Sequence, residues 1–302
     1  MAHCKNCSRN ALFLMFFSLS CVSPVVGGGE GPVVTPGAWL KDVIIDYESD
    51  GVRNFGTAQI YFPKGYGGGP DARTLIVLHG YRQTPADWEK RTPIAAYADR
   101  YGFVLVCPAM ATTLYESKYY PETVNRWAPV PGSKFIADVL MPFIRKNFGL
   151  GKSRKNTGIF GISTGARGAL MLAARHPKMF GAAAGLSGDY DSSSMKNDRI
   201  LTQVFGAYEE HRERWEEEAN VLKRAAALKK TPVYLGHGGR DRVVPPMQTD
   251  LLAGCLRRLA EESGGDEPVV EEAMSAAAGH DWGYWAAMVP EVLAFFDERL
   301  KR

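Results

Sequence analysis

Ser163 stands between two glycines in the run Ile159-Phe160-Gly161-Ile162-Ser163-Thr164-Gly165-Ala166-Arg167-Gly168. A serine hydroxyl attacks a carbonyl carbon when a neighbouring base takes its proton. Ahead of it, Thr157 to Ile162 is a short apolar run that reads as a buried strand. Behind it, Ala169-Leu170-Met171-Leu172-Ala173-Ala174 reads as a helix. Strand, sharp turn and helix together hold a serine at the tip of an elbow. Such a turn strains the serine backbone, and glycines on either side bring no Cβ to clash with the strand and helix they join. Gly168, one helical turn on, is expected to let that helix approach the sheet. The helix N-terminus adds free N–H groups and a positive dipole end where negative charge develops. A bare G-x-S-x-G also arises by chance in ordinary turns, so the partners of Ser163 decide its meaning.

An imidazole is the usual base for a serine. The candidates are His79, His176, His211, His237 and His280; His3 lies in the leader. His176 precedes Pro177 at a helix end, and His211 belongs to a charged segment. His79 and His237 end strands, where they line a site or support loop backbone. His280, in Ala278-Gly279-His280-Asp281-Trp282, follows the last strand on a loop able to reach the sheet edge. It is the favoured base, with His237 second. The base needs a carboxylate to fix its tautomer and stabilise the imidazolium. Asp241 in Gly238-Gly239-Arg240-Asp241-Arg242-Val243-Val244-Pro245 is the first candidate, and Asp189 and Asp191 are its rivals.

These side chains must be carried by regular elements. Residues 43–47 and 57–62 read as an antiparallel strand pair. Residues 74–78 and 103–107 are continuous apolar runs suited to parallel strands covered on both faces. Between them, 85–101 has helical spacing, with Thr84 as N-cap. Residues 109–134 form a long connection carrying Tyr115, Tyr119, Tyr120 and Trp127, and a loop of that length is expected to do something. A helix over 135–148, strands at 182–187 and 231–236, a helix over 247–262, an inner strand at 269–273 and a closing helix from Pro290 complete the order. The segment 208–230 is dense in charge and reads as a solvated helix, with a covering role left open. Strands alternate with helices from Thr74 onward, which predicts an α/β fold with a mostly parallel sheet.

At 302 residues, 45% apolar and 23% charged, the chain has an ordinary globular composition. A net charge of +3 without basic runs points away from nucleic acid as a partner. Lys5 and Arg9, the apolar run 11–17 and Ser18-Leu19-Ser20 predict an export signal over 1–20. A glycine-rich linker follows over 21–36, and a single domain over 37–302. Cys21 at the cleavage point resembles a lipid-acceptor cysteine, so membrane attachment stands as the second reading beside simple secretion. Cys4 and Cys7 lie in the signal, Cys107 in a strand and Cys255 in a helix, so no structural disulfide is expected.

The matching pieces Leu78-His79-Gly80, Gly161-Ile162-Ser163-Thr164-Gly165-Ala166-Arg167-Gly168-Ala169, Gly239-Arg240-Asp241-Arg242-Val243-Val244-Pro245 and Gly279-His280-Asp281-Trp282 carry a resemblance. The chain resembles the α/β-hydrolase superfamily and, within it, the putative-esterase family of esterase D, S-formylglutathione hydrolases, feruloyl esterases and antigen 85 mycolyltransferases. The order Ser163, Asp241, His280 is that of α/β hydrolases. The resemblance implies nucleophile Ser163, acid Asp241, base His280, and an oxyanion hole from the N–H groups of Tyr81 and Thr164. It implies no metal or organic cofactor. Ile162 and Thr164 replace the histidine and the methionine or glycine that many relatives carry around the serine, so no relative's substrate preference transfers. Arg167 reads as structural. Trp127, Tyr190 and Trp282 are expected at the substrate, their segments leaving strands at one sheet edge. The expected reaction is hydrolysis of a small-molecule or carbohydrate ester, including aromatic-acid esters, outside the cytoplasm. Acyl transfer of the mycolyltransferase type, peptide hydrolysis and non-catalytic binding are the alternatives.

Overall fold

Runs of β-branched and apolar residues bounded by glycine and proline build one sheet. Its strands in chain order are β1 (Ser23–Pro24), β2 (Ala38–Ser49), β3 (Val52–Phe62), β4 (Arg73–Leu78), β5 (Phe103–Pro108), β6 (Thr157–Ile162), β7 (Ala182–Leu186), β8 (Val233–Gly238) and β9 (Val270–Ser275). The computed structural model describes residues 23–24, 33–262, 264 and 270–301. The expected signal segment, Cys4, Cys7, Cys21 and most of the 21–36 linker lie outside the described residues.

The sheet order is β1-β2-β3-β5-β4-β6-β7-β8-β9. The strands β1, β2, β3 and β5 pair antiparallel, and every pairing from β5 to β9 is parallel. The first hairpin is longer than the sequence suggests. Asp50 and Gly51, at φ 52° and 75°, turn it in two residues, so β2 and β3 run on past residues 47 and 57.

Alternation along the central strands feeds two cores. Ile76, Leu78 and Ile159 face one; Leu75, Val77 and Phe160 face the other. On the second face lie α1 (Ala86–Arg91) and α2 (Ile94–Tyr101). The single helix expected over 85–101 is two, because Pro93 has no N–H to continue the first and instead starts the second. Thr84 is outside the helix; its hydroxyl and amide donate to Asp87 at 2.9 Å each. On the first face, α3 (Gly132–Lys134) passes through a π-helical stretch, Phe135–Leu140, into α4 (Met141–Phe148).

The helix α5 (Thr164–Arg175) follows β6 and is buried along nearly its whole length. Between β7 and β8 come α6 (Arg199–Phe205), a π turn at Arg214–Glu218 and a 3-10 helix at Leu222–Leu228. The charged stretch 208–230 is therefore not one solvated helix. Trp215 anchors it in a small separate core with Phe205 and Tyr208. The helix α7 (Met247–Glu262) has the bounds its periodicity predicts. The strand β9 is the sheet edge, not an inner strand, and its mixed burial fits that place. The last helix, α8 (Trp282–Arg299), begins eight residues before Pro290, where Asp281 accepts the Tyr284 N–H at 3.0 Å. Pro290 is carried inside it.

Candidate active site

The end of β6 and the start of α5 meet at Ser163, which has φ 53° and ψ −127°. This is strained for a residue with a Cβ, and its neighbours hold it there. The Ser163 N–H donates to Leu186 O on β7 at 2.9 Å, and its carbonyl accepts the Ala166 N–H at 2.9 Å. A Cβ on Gly161 would lie 2.1 Å from Gly165 O, and one on Gly165 2.5 Å from Leu78 O. Gly168 makes room for something other than the sheet: the Tyr115 ring fills its place, 2.4 Å from where a Cβ would stand.

His280 arrives from the loop after β9. Its Nε2 is 2.9 Å from Ser163 Oγ and its Nδ1 is 2.6 Å from Asp241 Oδ2. Asp241 sits on the turn after β8, where its Oδ1 accepts the Val243 and Val244 N–H groups at 2.8 and 2.9 Å. Burial works against this carboxylate, but hydrogen bonds from His237, His280 and the Val244 amide outweigh it and hold its pKa below the ordinary range. The edge of the Trp285 ring system meets the His280 ring at 5.1 Å and 84°.

The other candidates are placed elsewhere. His79 is buried: its Nδ1–H donates to Gly80 O at 2.8 Å and its Nε2 accepts the Met110 N–H at 2.9 Å. Burial pushes its pKa down to about 4, so the ring is neutral and braces the loop after β4. His237 is buried 3.2 Å from Asp241 and makes no contact with Ser163 among the described residues. Asp189 lies 3.2 Å from Arg167 Nε as a close ion contact not aligned as a hydrogen bond. Burial pushes its carboxyl up to about 7 even so. Asp191 accepts from Ser193 and Asn220. Neither rival carboxylate bonds His280. Arg167 is structural: it donates to Leu114 O and Ala219 O at 3.0 and 2.6 Å, tying α5 to the 109–131 connection and to the segment beyond α6.

Thr164 adjoins Ser163 in the chain, and a Cβ on Gly80, the residue before Tyr81, would lie 3.0 Å from the Ser163 Cβ. Thr164 is the first residue of α5, so its N–H has no acceptor within the helix. Around Tyr81, the Gly80, Arg82 and Gln83 amides donate to Gln83 Oε1, Ala111 O and Gly80 O. The Tyr81 amide has no such partner among the described residues.

Ser163 and His280 open into a cavity of about 650 Å³ that Tyr81, Leu114, Met195, Ile200, Leu201 and Trp282 help to line. Trp282 stands in its wall, braced edge-on by Trp88 and Trp285 at 5.3 and 5.4 Å. Two of the three expected aromatic contacts are elsewhere. Tyr190 is fully buried with its ring against Gly185 and Gly188, because the chain after β7 folds it under the sheet edge. Trp127 packs edge-on against Phe135 at 5.3 Å, where the 109–131 connection lies over the core. The aliphatic lining from 195–201 is missing from the sequence reading. Its available signal was Asp198, whose carboxylate accepts the Ile200 and Leu201 amides at 2.8 and 2.9 Å to start α6 beside the cavity.

Residues 56–296 match the family described as Putative esterase, most of the chain. The chain belongs to this family. It is accordingly an α/β-hydrolase and a serine carboxylic ester hydrolase, which sets aside the peptidase and non-catalytic alternatives. It is similar to the diacylglycerol acyltransferase/mycolyltransferase Ag85A of Mycobacterium tuberculosis, at 24% identity over 74% of this chain and 72% of the relative. It is also similar to an acetyl esterase of Caldicellulosiruptor saccharolyticus, at 22% identity over 70% of this chain and 79% of the relative. Among solved structures, a substrate-bound fluorophosphonate-binding serine hydrolase F of Staphylococcus aureus superposes with a TM-score of 0.66 at 17% identity, covering 87% of this chain and 99% of that one.

Proposed function

We propose that the chain is an exported carboxylesterase that works through an acyl-enzyme on Ser163. The hydrogen-bond chain Asp241–His280–Ser163, opening into the cavity, supports this reading most directly. His280 Nε2 takes the Ser163 proton as Oγ bonds to the ester carbonyl carbon. The carbonyl oxygen becomes an oxyanion facing the Tyr81 and Thr164 amides. The tetrahedral adduct collapses, the ester C–O bond breaks, and the alcohol leaves with the proton from His280. Water then attacks the acyl-enzyme by the same route, releasing the acid and restoring Ser163. Asp241 holds His280 with Nδ1–H toward it and stabilises the imidazolium.

The cavity lining of aliphatic chains with Trp282 and Tyr81 supports an apolar or aromatic acyl group, or a sugar ring stacked on an indole. The leader over 1–20 supports an extracytoplasmic ester of a carbohydrate or aromatic acid. Lipid attachment at Cys21 is the second form of export, and the mass of the mature protein separates the two. Acyl transfer is the second reading of the chemistry, favoured by the similarity to an acyltransferase. Its steps are identical until an alcohol replaces water.

The test is hydrolysis of p-nitrophenyl acetate, butyrate and octanoate by wild type and Ser163→Ala, with and without added alcohol. Hydrolysis lost in the variant supports the reading; equal turnover by both proteins overturns it. A transfer product that outpaces free acid selects the acyltransferase form.

A further inference from the structure

His237 is the second imidazole on the acid. It ends β8 with no exposed surface, and its Nε2 lies 3.2 Å from Asp241 Oδ2, the same oxygen that His280 Nδ1 meets at 2.6 Å. Nε2 also faces Val244 O at 3.0 Å, and with acceptors on that side the nitrogen carries the hydrogen. The other ring nitrogen, Nδ1, is then free to accept from Thr249 Oγ1 on α7 at 2.9 Å. Asp241 thus has two amides on Oδ1 and two imidazoles on Oδ2. Nothing in the proposed reaction uses the second imidazole.

We infer that His237 is a positioning residue that shares the negative charge of Asp241 Oδ2 and so limits how strongly the acid holds His280 as imidazolium. A donor on the same oxygen draws charge from the Asp241–His280 contact and favours a neutral His280 ready to accept a proton. The site has few competing groups. Tyr284 on α8 feels Asp241, but burial keeps its phenol neutral. Arg240 and Arg242 on the Asp241 turn are exposed. Asp281 caps α8, and Arg91, Asp189 and Asp198 stand around the cavity.

The inference rests on the Ser163–His280–Asp241 reading, and the experiment separates the two. The pH profile of kcat/KM for p-nitrophenyl butyrate is measured for wild type, Ser163→Ala, His237→Phe and His237→Gln, with thermal unfolding alongside. In His237→Phe the acid limb moves up by roughly 0.5–1 pH unit, so turnover falls at pH values below the shifted limb while KM and the alkaline plateau stay close to wild type. The glutamine amide restores a donor near Nε2, so His237→Gln brings the limb back toward wild type. An acid limb that stays put or moves down in a folded His237→Phe overturns the inference, as does His237→Gln behaving like phenylalanine. Should His237→Phe not fold, Thr249→Val loosens the ring's tautomer and moves the limb the same way by less; an unmoved limb there also overturns it. Full activity in Ser163→Ala overturns the underlying reading instead.

Discussion

Gly161 and Gly165 close on each other so tightly that a Cβ on the first would lie 2.1 Å from the carbonyl oxygen of the second. The contact is with backbone, which has no rotamer to move aside, and it fixes the turn that carries Ser163. Gly161→Ala is therefore expected to cost more than the ~1–3 kcal/mol of ordinary overpacking and to lower esterase activity with stability. Gly254 in α7 is the control, because nothing lies within 4 Å of its missing Cβ. Gly254→Ala should stabilise by about 0.5–1 kcal/mol in urea unfolding. If Gly161→Ala unfolds at the wild-type midpoint, the turn is less constrained than this geometry requires.

The Asp241–His280–Ser163 chain predicts a graded loss of turnover. Removing the hydroxyl in Ser163→Ala should lower kcat on the order of 10⁶-fold. Asp241→Asn keeps shape but presents an amide to His280 Nδ1, which disfavours the tautomer that accepts the serine proton. A loss on the order of 10⁴-fold follows, with KM little changed. Single-turnover kinetics on p-nitrophenyl butyrate measure both, and an Asp241→Asn variant within tenfold of wild type would remove Asp241 from the mechanism.

How far the sequence carries depends on whether a feature is local. The elbow was legible because Gly161 answers a clash with Gly165 within five residues of chain, inside a strand-serine-helix pattern that is itself local. The helix α7 was legible because one periodic stretch, without proline, sets its bounds. Asp241 and His280 could be singled out because each follows a strand, and parallel strands bring such turns to one edge. Trp127 and Tyr190 also follow strands, yet both are folded inward, since nothing local distinguishes a ring that meets solvent from one that meets Phe135 or Gly185. The start of α8 was hidden for the opposite reason: Ala278-Gly279-His280-Asp281-Trp282 reads as loop, and Pro290 reads as a helix start although it lies inside. The cavity wall from 195–201 depends on how an irregular insertion packs, which no periodicity announces.

His79 makes stability depend on pH. Its folded pKa, pushed down to about 4 by burial, lies below the ~6.5 of an unfolded histidine. The unfolded chain takes up the proton first as pH falls, so the stabilisation present above about pH 6.5 is lost as pH drops toward 4. The shift corresponds to about 3 kcal/mol. Urea unfolding at pH 7 and pH 4 should show this drop in wild type on top of that from other groups. His79→Gln, which does not titrate, should be less stable at pH 7 and lose about 3 kcal/mol less between the two. Equal losses in the two proteins would mean that His79 is not buried neutral.

The partly exposed Ile200 reaches the cavity from the first turn of α6, so its size sets how long an acyl group the site admits. A cavity of about 650 Å³ has room for a medium acyl chain, and a larger side chain at its wall takes that room away while leaving Ser163 and His280 untouched. In a hydrophobic pocket each methylene is worth ~1–3 kcal/mol in discrimination. Ile200→Trp should therefore lower kcat/KM for p-nitrophenyl octanoate by about tenfold or more relative to acetate. Acetate turnover itself stays within a few fold, because the reacting carbonyl lies at the serine and not at the wall. A variant that keeps the wild-type octanoate-to-acetate ratio would mean that the acyl chain leaves Ser163 by another path, past Val243 or Trp282. Both residues line the same cavity, so the matching substitution at Val243 then reads out which side the chain follows.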